Sequence, residues 1–462
     1  MIFSSLTFLL LFLPITLLCY FIVPKKGKNI ILLIFSLIFY AWGEPVYILL
    51  MLYSIFLNYA CGLLMDKFEK ARKHVLVFAV VVNLFLLGFF KYAGFVTESL
   101  NALLGNFGIT LPVREIALPI GISFYTFQAL SYIIDLYRGK FPIQKNIVNF
   151  ALYITMFPQL IAGPIVRYES IEKELNHRVF SMARFGQGAL VLIEGLAMKV
   201  LLANQIGMLA DELRGMSGSL SVTAAWLGTL AYFFQIYFDF AGYSTMAIGL
   251  GHMLGFTFCK NFDYPYLSTS ITEFWRRWHM SLGTWFREYV YIPLGGNRVS
   301  ALKHIRNILV VWTLTGLWHG AAWNFLLWGL YYGLLLLFEK YVFAKFKLPK
   351  PIGWIYTTVL VLIGWVLFSS ENLFQCKQIL GAMFGVGTVL FDTTALYYLV
   401  TGGFIFILCG ICSTPLLKKL RNRLLGISVG RIFIAVIYVA LLALCILFLV
   451  VQNYNPFLYF RF

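Results

Sequence analysis

The chain has 462 residues, of which 61% are hydrophobic and only 12% charged, against about 25% charged in soluble globular domains. That composition excludes a soluble globular chain and implies a polytopic membrane protein whose surface faces lipid, for which length says little about domain number. Lys and Arg outnumber Asp and Glu by 36 to 19, a formal +17, but they cluster beside apolar runs as cytoplasmic flanks do, which speaks against nucleic acid as a partner.

A membrane span needs about 20 mostly apolar residues. In chain order, residues 2–23, 30–42 with its flank, 46–65, 75–92, 185–209, 222–246, 354–367, 399–413 and 432–451 qualify. Less regular apolar segments cover 118–134, 150–164 and the region around His319. The pattern predicts an all-α polytopic membrane protein with about eleven transmembrane helices plus re-entrant or interfacial pieces. The N-terminus is apolar, and its basic residues, Lys25, Lys26 and Lys28, follow the run instead of preceding it. This predicts a retained first span with its start outside, not a cleaved signal peptide. The basic stretches 25–28, 67–73, 260–306, 340–350 and 418–423 then read as cytoplasmic, which puts Phe462 outside.

Seven cysteines sit mostly inside apolar segments, among them a lone CxxC at Cys409 and Cys412. They read as inert thiols, with no metal framework in their spacing. No internal repeat stands out. We expect one membrane domain over 1–462, with N-terminal helices in 1–110, a core in 111–340 that includes an amphipathic cytoplasmic segment at 259–306, and C-terminal helices in 341–462.

Four stretches carry polar chemistry. In Leu118 to Gly139 and Phe157 to Tyr168, Gly and Pro interrupt the apolar pattern, and Gln128, Asp135, Arg138, Gln159 and Arg167 are the main polar content. Broken helices of this kind line pathways, although Asp135 and Arg138, three apart, also suit a simple pair. In Phe233 to Gly251, Asp239 lies mid-span near Tyr243. A carboxylate there must be paired, neutral or in a wet cavity, and function and polar glue are equally open.

The third stretch, Thr269 to Arg298, reads TSITEFWRRWHMSLGTWFREYVYIPLGGNR. Ser270 and Glu273 have capping-box spacing, predicting a helix from about Ile271. Trp275, His279, Leu282 and Phe286 would share its apolar face, with arginines at the rim. An interfacial helix accounts for Arg276 and Arg277 but not for His279. Pro293 ends the pattern, and Gly295, Gly296, Asn297 and Arg298 form a tight turn whose backbone N–H groups suit an anion.

The fourth stretch is LTGLWHGAAWNF, Leu314 to Phe325, inside a run from 308 to 338 that holds no Lys, Arg, Asp or Glu. His319 stands between Gly316 and Gly320, close to Trp318 and Trp323, with Asn324 as the nearest amide. Both flanks are basic, so either two short helices turn back near His319 or one long tilted helix breaks the charge rule. An ionisable group at that depth either serves function or hydrogen-bonds across a helix interface. A histidine suits proton transfer near neutral pH.

Taken together, FYAWGEP, LPIGISFYTFQ, QLIAGPI, YFDFAGYS, FWRRWHMSLGTWFREYVYIPLGGNR, LTGLWHGAAWNFLLWG and the terminal YNPFLYFRF resemble the membrane-bound O-acyltransferase (MBOAT) family, in its alginate O-acetyltransferase-like branch. The resemblance implies a ring of helices around a thin central tunnel and acyl transfer inside the bacterial cytoplasmic membrane. It implies His319 as the principal catalytic histidine and His279 as the second. Acetyl-CoA, or another acyl thioester, would be the donor, with no tightly bound cofactor and no metal. An exported polysaccharide would be the acceptor, with an extracytoplasmic acetyltransferase- or esterase-like partner protein, in contact with membrane lipids.

On that reading His319 is a general base. Trp318, Asn324, Asp239, Tyr243 and Gln128 are candidates for oxyanion contact or tunnel lining. Arg276, Arg277, Arg287 and Arg298 are candidates for donor phosphates. The chain departs from the branch at Thr245, where an acidic residue is common, and at Phe368-Ser369-Ser370-Glu371, where many members carry FFRA. Those departures bear on the acceptor. D-alanyl transfer to teichoic acid and peptidoglycan O-acetylation are the alternatives within the superfamily, with PLGGNR leaning toward the alginate-like branch. A transporter without chemistry is the reading outside it, but no paired repeat is visible.

Overall fold

A computed structural model describes residues 1–113, 116–161, 163–343 and 348–458. The expected placement of Phe462, the last four residues of YNPFLYFRF, Ala162 of QLIAGPI, and positions 344–347 of the 340–350 basic stretch lie outside the described residues. Among the described residues there is no strand, and the all-helical expectation holds.

In chain order the helices are α1 (Leu13–Ile22), α2 (Lys28–Ala41), α3 (Ile48–Lys67), α4 (Arg72–Leu104), α5 (Ile122–Tyr137), α6 (Ile147–Thr155), α7 (Phe157–Leu160), α8 (Tyr168–Asn176), α9 (Met182–Ala197) and α10 (Asn204–Gly215). They continue as α11 (Val222–Leu254), α12 (Ile271–Arg277), α13 (Met280–Phe286), α14 (Ala301–His319), α15 (Trp323–Tyr341), α16 (Lys350–Ser369), α17 (Leu373–Met383), α18 (Thr393–Cys412), α19 (Leu416–Leu425) and α20 (Ser428–Val451). Among the described residues, six helical runs are long and apolar enough to cross a membrane: Ile48–Lys67, Glu69–Leu104, Met182–Gly215, Lys350–Ser369, Thr393–Cys412 and Ser428–Val451. The chain is thus a multi-pass membrane protein. Outward-facing Val400, Phe404, Ile432 and Val451 are exposed, as a lipid-facing surface requires.

The chain divides into two compact units, Met1–Ala189 with Ala247–Cys259, and Leu190–Met246 with Lys260–Phe462. In the first unit, α3 and α4 are joined by a reciprocal amide pair. Asn58 and Asn83 each donate to the other's carbonyl oxygen, at 3.1 and 2.9 Å, a polar link between apolar helices. Rings of Phe8, Phe12 and Phe39 pack around Phe157 at 5.5–6.2 Å. Asp135 pairs with Arg138 at 3.5 Å, as its spacing predicted, and with Lys140 at 3.0 Å. The segment 150–164 breaks at Met156, between α6 and α7.

In the second unit, α14 and α15 form a hairpin, so the turn-back reading of the two basic flanks is the correct one. Each arm has 19 residues, about 28 Å at 1.5 Å per residue, longer than the short helices expected. Glycines permit the close approach. A Cβ on Gly316 would meet the Phe325 carbonyl oxygen at 2.4 Å, and one on Gly329 would meet that of Trp312 at 2.3 Å. His319 ends α14, thirteen residues beyond Arg306 and so about 20 Å along the helix from that basic flank.

Candidate active site

The site is built within the second unit. At its base, α12 is capped as predicted: Ser270 Oγ accepts the Glu273 N–H at 3.0 Å. The Glu273 carboxylate accepts the Thr269 N–H at 2.9 Å, one residue earlier than a standard capping box. Burial would raise the Glu273 pKa. The Thr269 N–H and hydroxyl, with Arg277, outweigh it and hold the carboxyl below its usual range. Glu339 of α15 adds acceptors for the N–H groups of Ile271 and Thr272 at 2.6 and 2.8 Å. These bonds satisfy N-terminal donors that helix geometry orphans and tie α12 to the hairpin.

The predicted continuous helix through Phe286 does not form, and this corrects the sequence reading. It breaks at His279, which adopts φ 45° and ψ 52° between α12 and α13. His279 therefore shares no helical face with Trp275, Leu282 and Phe286. Left-handed backbone is uncommon for a residue with a Cβ, although histidine enters it more readily than most. The loop that holds it is pinned by Met280 N–H to Asn261 O, 2.9 Å, and Asp263 N–H to Arg277 O, 2.9 Å. Its imidazole is buried, with Nδ1 3.2 Å from Asn261 Oδ1. Phe240 meets the ring edge-on at 4.6 Å.

His319 is 6% exposed. Its ring meets Trp318, Trp328 and Phe368 at 4.9, 5.0 and 5.1 Å, each near perpendicular. Trp318 also approaches His279, at 5.9 Å, so one indole stands against both imidazoles. His319 and Asp239 share a small cavity with Phe240, Trp278, Trp365 and Leu458. Asp239 is paired, which resolves its three sequence-level options: Lys199 Nζ lies 2.6 Å away.

The remaining candidates divide. Tyr243 is buried and packs on Phe457 at 4.7 Å. Asn324 points its amide at the end of α16, donating to Ser370 O at 2.8 Å and Leu367 O at 3.4 Å. Its N–H groups are spent on capping a helix C-terminus, not offered to an oxyanion. Gln128 is buried in α5 of the first unit.

Of the arginines, Arg277 is paired with Glu273 at 2.6 Å and Arg287 with Glu288 at 2.9 Å. Arg298 is exposed on its turn. Arg276 lines a separate cavity of about 550 Å³ with Thr269, Tyr291, His304, Lys340 and Tyr356. The GGNR turn forms, with φ of 100° at Gly295 and 58° at Gly296. However, the N–H groups of Gly295, Gly296 and Arg298 donate to Ile292, Tyr291 and Gly295 carbonyls, so the expected anion nest is filled by the chain itself.

Sequence reading missed Lys199, Asn261, Trp328, Trp365 and Leu458. A lysine inside an apolar span was a usable signal for the first. The others had none, because their roles come from contacts distant in sequence.

An all-helical, multi-pass chain with two imidazoles buried among tryptophans defines a membrane protein with an enclosed, aromatic-walled reaction site. Residues 144–374, half of the chain, match MBOAT, the membrane-bound O-acyltransferase family. The chain is 45% identical over 394 residues to the Pseudomonas aeruginosa protein named "Probable alginate O-acetylase AlgI", covering 84% of this chain and 76% of that one. It is 39% identical to the Pseudomonas putida protein of the same name, over the full length of both. It is 34% identical over 428 residues to the peptidoglycan O-acetyltransferase of Helicobacter pylori, covering 84% and 81%. The chain belongs to the MBOAT family and is an O-acyltransferase.

Proposed function

We propose that the chain moves an acetyl group from a cytoplasmic donor, acetyl-CoA, to hydroxyls of an exported cell-surface polysaccharide, directly or through an extracytoplasmic esterase-like partner protein. The chain crosses the bacterial inner membrane about eleven times, lines a central tunnel and has its N-terminus outside. The observation that carries this reading is His319, buried at the inner end of α14 with Trp318 between it and His279. As the hydroxyl oxygen bonds to the thioester carbonyl carbon, His319 takes its proton. The C–S bond then breaks and His319 returns that proton to the departing thiolate. Trp318, or the N–H groups near it, faces the developing oxyanion. The cavity lined by Arg276, His304 and Lys340 suits the donor's phosphates by charge.

The test is the O-acetyl content of extracellular polysaccharide from cells carrying wild type or His319→Ala, at matched membrane abundance. Loss of acetyl in the variant is the expected result. Unchanged acetylation from an active wild type would remove His319 from the chemistry. If wild type adds no acetyl over a deletion strain, the acyl group or acceptor is wrong, and D-alanyl esters are assayed next.

A further inference from the structure

Residues 452–457 leave α20 in non-helical form and, with Leu458, pack back into their own unit. Gln452 and Gln205 exchange amide hydrogen bonds at 2.7 and 3.1 Å. Asn204 donates to Asn455 at 3.1 Å, and the Tyr454 hydroxyl donates to Asp211 at 2.6 Å. The segment ends on the buried ion pair. Lys199 Nζ, set in a π-helical turn over Met198–Ala203, pairs with Asp239 and also donates to the Pro456 carbonyl. The second Asp239 oxygen accepts the Leu458 N–H at 2.9 Å. The side chains of Lys199 and Asp239 are 3% and 2% exposed.

A buried ion pair adds little net stability, because desolvation offsets its attraction. What this pair accomplishes is positional. Each charge spends a hydrogen bond on the main chain of the terminal segment, one on either side of Phe457. Together they set Leu458, 2% exposed, into the wall of the His319 cavity, with Trp328, Trp365 and Phe368. The space left open there is about 10 Å³, room for about a single water.

We infer that Leu458 sets the acyl-chain length this enzyme accepts, and that the Lys199–Asp239 pair positions it. The inference rests on the acyl-transfer reading of the His319 cavity. With the leucine in place, the apolar pocket beside the imidazole holds the methyl of an acetyl group and has no room for longer chains. A packed apolar pocket discriminates one added methylene by about 10- to 200-fold. Shortening Leu458 removes side-chain volume from the wall of this pocket.

The experiment reads the acyl groups themselves, whatever thioester delivers them. Full-length wild type, Leu458→Ala and Leu458→Val are expressed at matched membrane abundance in one deletion strain grown with acetate, propionate and butyrate. Esters are released from the purified extracellular polymer by mild alkali and quantified. Wild type is expected to attach acetyl almost alone. Leu458→Ala should raise the propionyl-to-acetyl and butyryl-to-acetyl ratios by about tenfold or more, and Leu458→Val should raise the propionyl ratio alone. A role in folding only would lower all esters in proportion. Ratios equal to wild type in both variants, at any level of total ester, would overturn the inference. If wild type adds no ester over the deletion strain, the polysaccharide-acylation reading fails and the inference, which rests on it, falls with it.

Discussion

Asn261 Oδ1 stands 3.2 Å from His279 Nδ1 and also accepts the Ser281 N–H at 3.1 Å and its hydroxyl at 2.9 Å. An atom that accepts a backbone N–H must be the amide oxygen, so His279 Nδ1 is the donor and the ring carries its lone pair on Nε2. One asparagine thereby sets the tautomer and orientation of His279.

Asn261→Leu should therefore lower ester formation by about tenfold or more, since it strands buried donors worth about 1–3 kcal/mol each. Asn261→Asp keeps an acceptor of the same shape and should retain most activity. Polymer-bound ester at matched membrane abundance separates the two, and equal activity in both variants would remove Asn261 from the positioning of His279.

The buried charges make a second prediction. Lys199→Met leaves Asp239 buried without its cation and should cost about 3–5 kcal/mol. Adding Asp239→Leu should restore much of that stability, because the stranded charge is gone. Activity should stay low in the double variant, since the terminal segment has lost both anchors. Thermal denaturation in detergent reads the stability, and a double variant less stable than the single one would contradict the assignment.

The hairpin makes a third. A side chain at Gly316 collides with the backbone of α15, so Gly316→Val should force α14 and α15 apart at a cost of about 1–3 kcal/mol or more. The displacement is one turn from His319, and ester formation should fall further than abundance does. Gly410, whose Cβ would meet nothing within 4 Å, provides the control, and Gly410→Ala should leave both unchanged.

The arginines make a fourth. Arg277 is held by Glu273, whereas Arg276 faces the cavity with His304 and Lys340. Arg276→Ala should raise the KM for acetyl-CoA by about 3- to 10-fold, in line with a lost charge-assisted hydrogen bond of about 1 kcal/mol or somewhat more, with kcat little changed. Arg277→Ala should change KM less. Initial rates in membranes across donor concentration test the difference, and the reverse order would move the donor's phosphates elsewhere.

Much of this protein is legible along the chain, because a membrane makes its demands residue by residue. Apolar length places spans: the runs at 46–65, 354–367 and 432–451 appear as helices within a few residues of those bounds, and 399–413 lies in a helix that begins earlier, at Thr393. Capping chemistry is equally local, and Ser270 started α12 where its spacing said it would. His319 could be singled out because a lone imidazole in an uncharged run has few bland explanations. Helical periodicity failed at His279, where pairing of 261–263 with 277–280 outweighs the local preference for one continuous helix.

By itself, the sequence determined the class: an all-helical membrane chain, several of its spans, His279 and His319 as candidates and, through the resemblance of its motifs, its family. The fold class and spans follow from composition and period, the family from the resemblance of its motifs, and none of these needs a partner far along the chain. Only the tertiary structure decided what surrounds the histidines. Asn261 lies 18 residues from His279, and Asp239 meets Leu458 across 219. Such pairings depend on how helices pack, and packing is a property of the whole unit that no local pattern encodes.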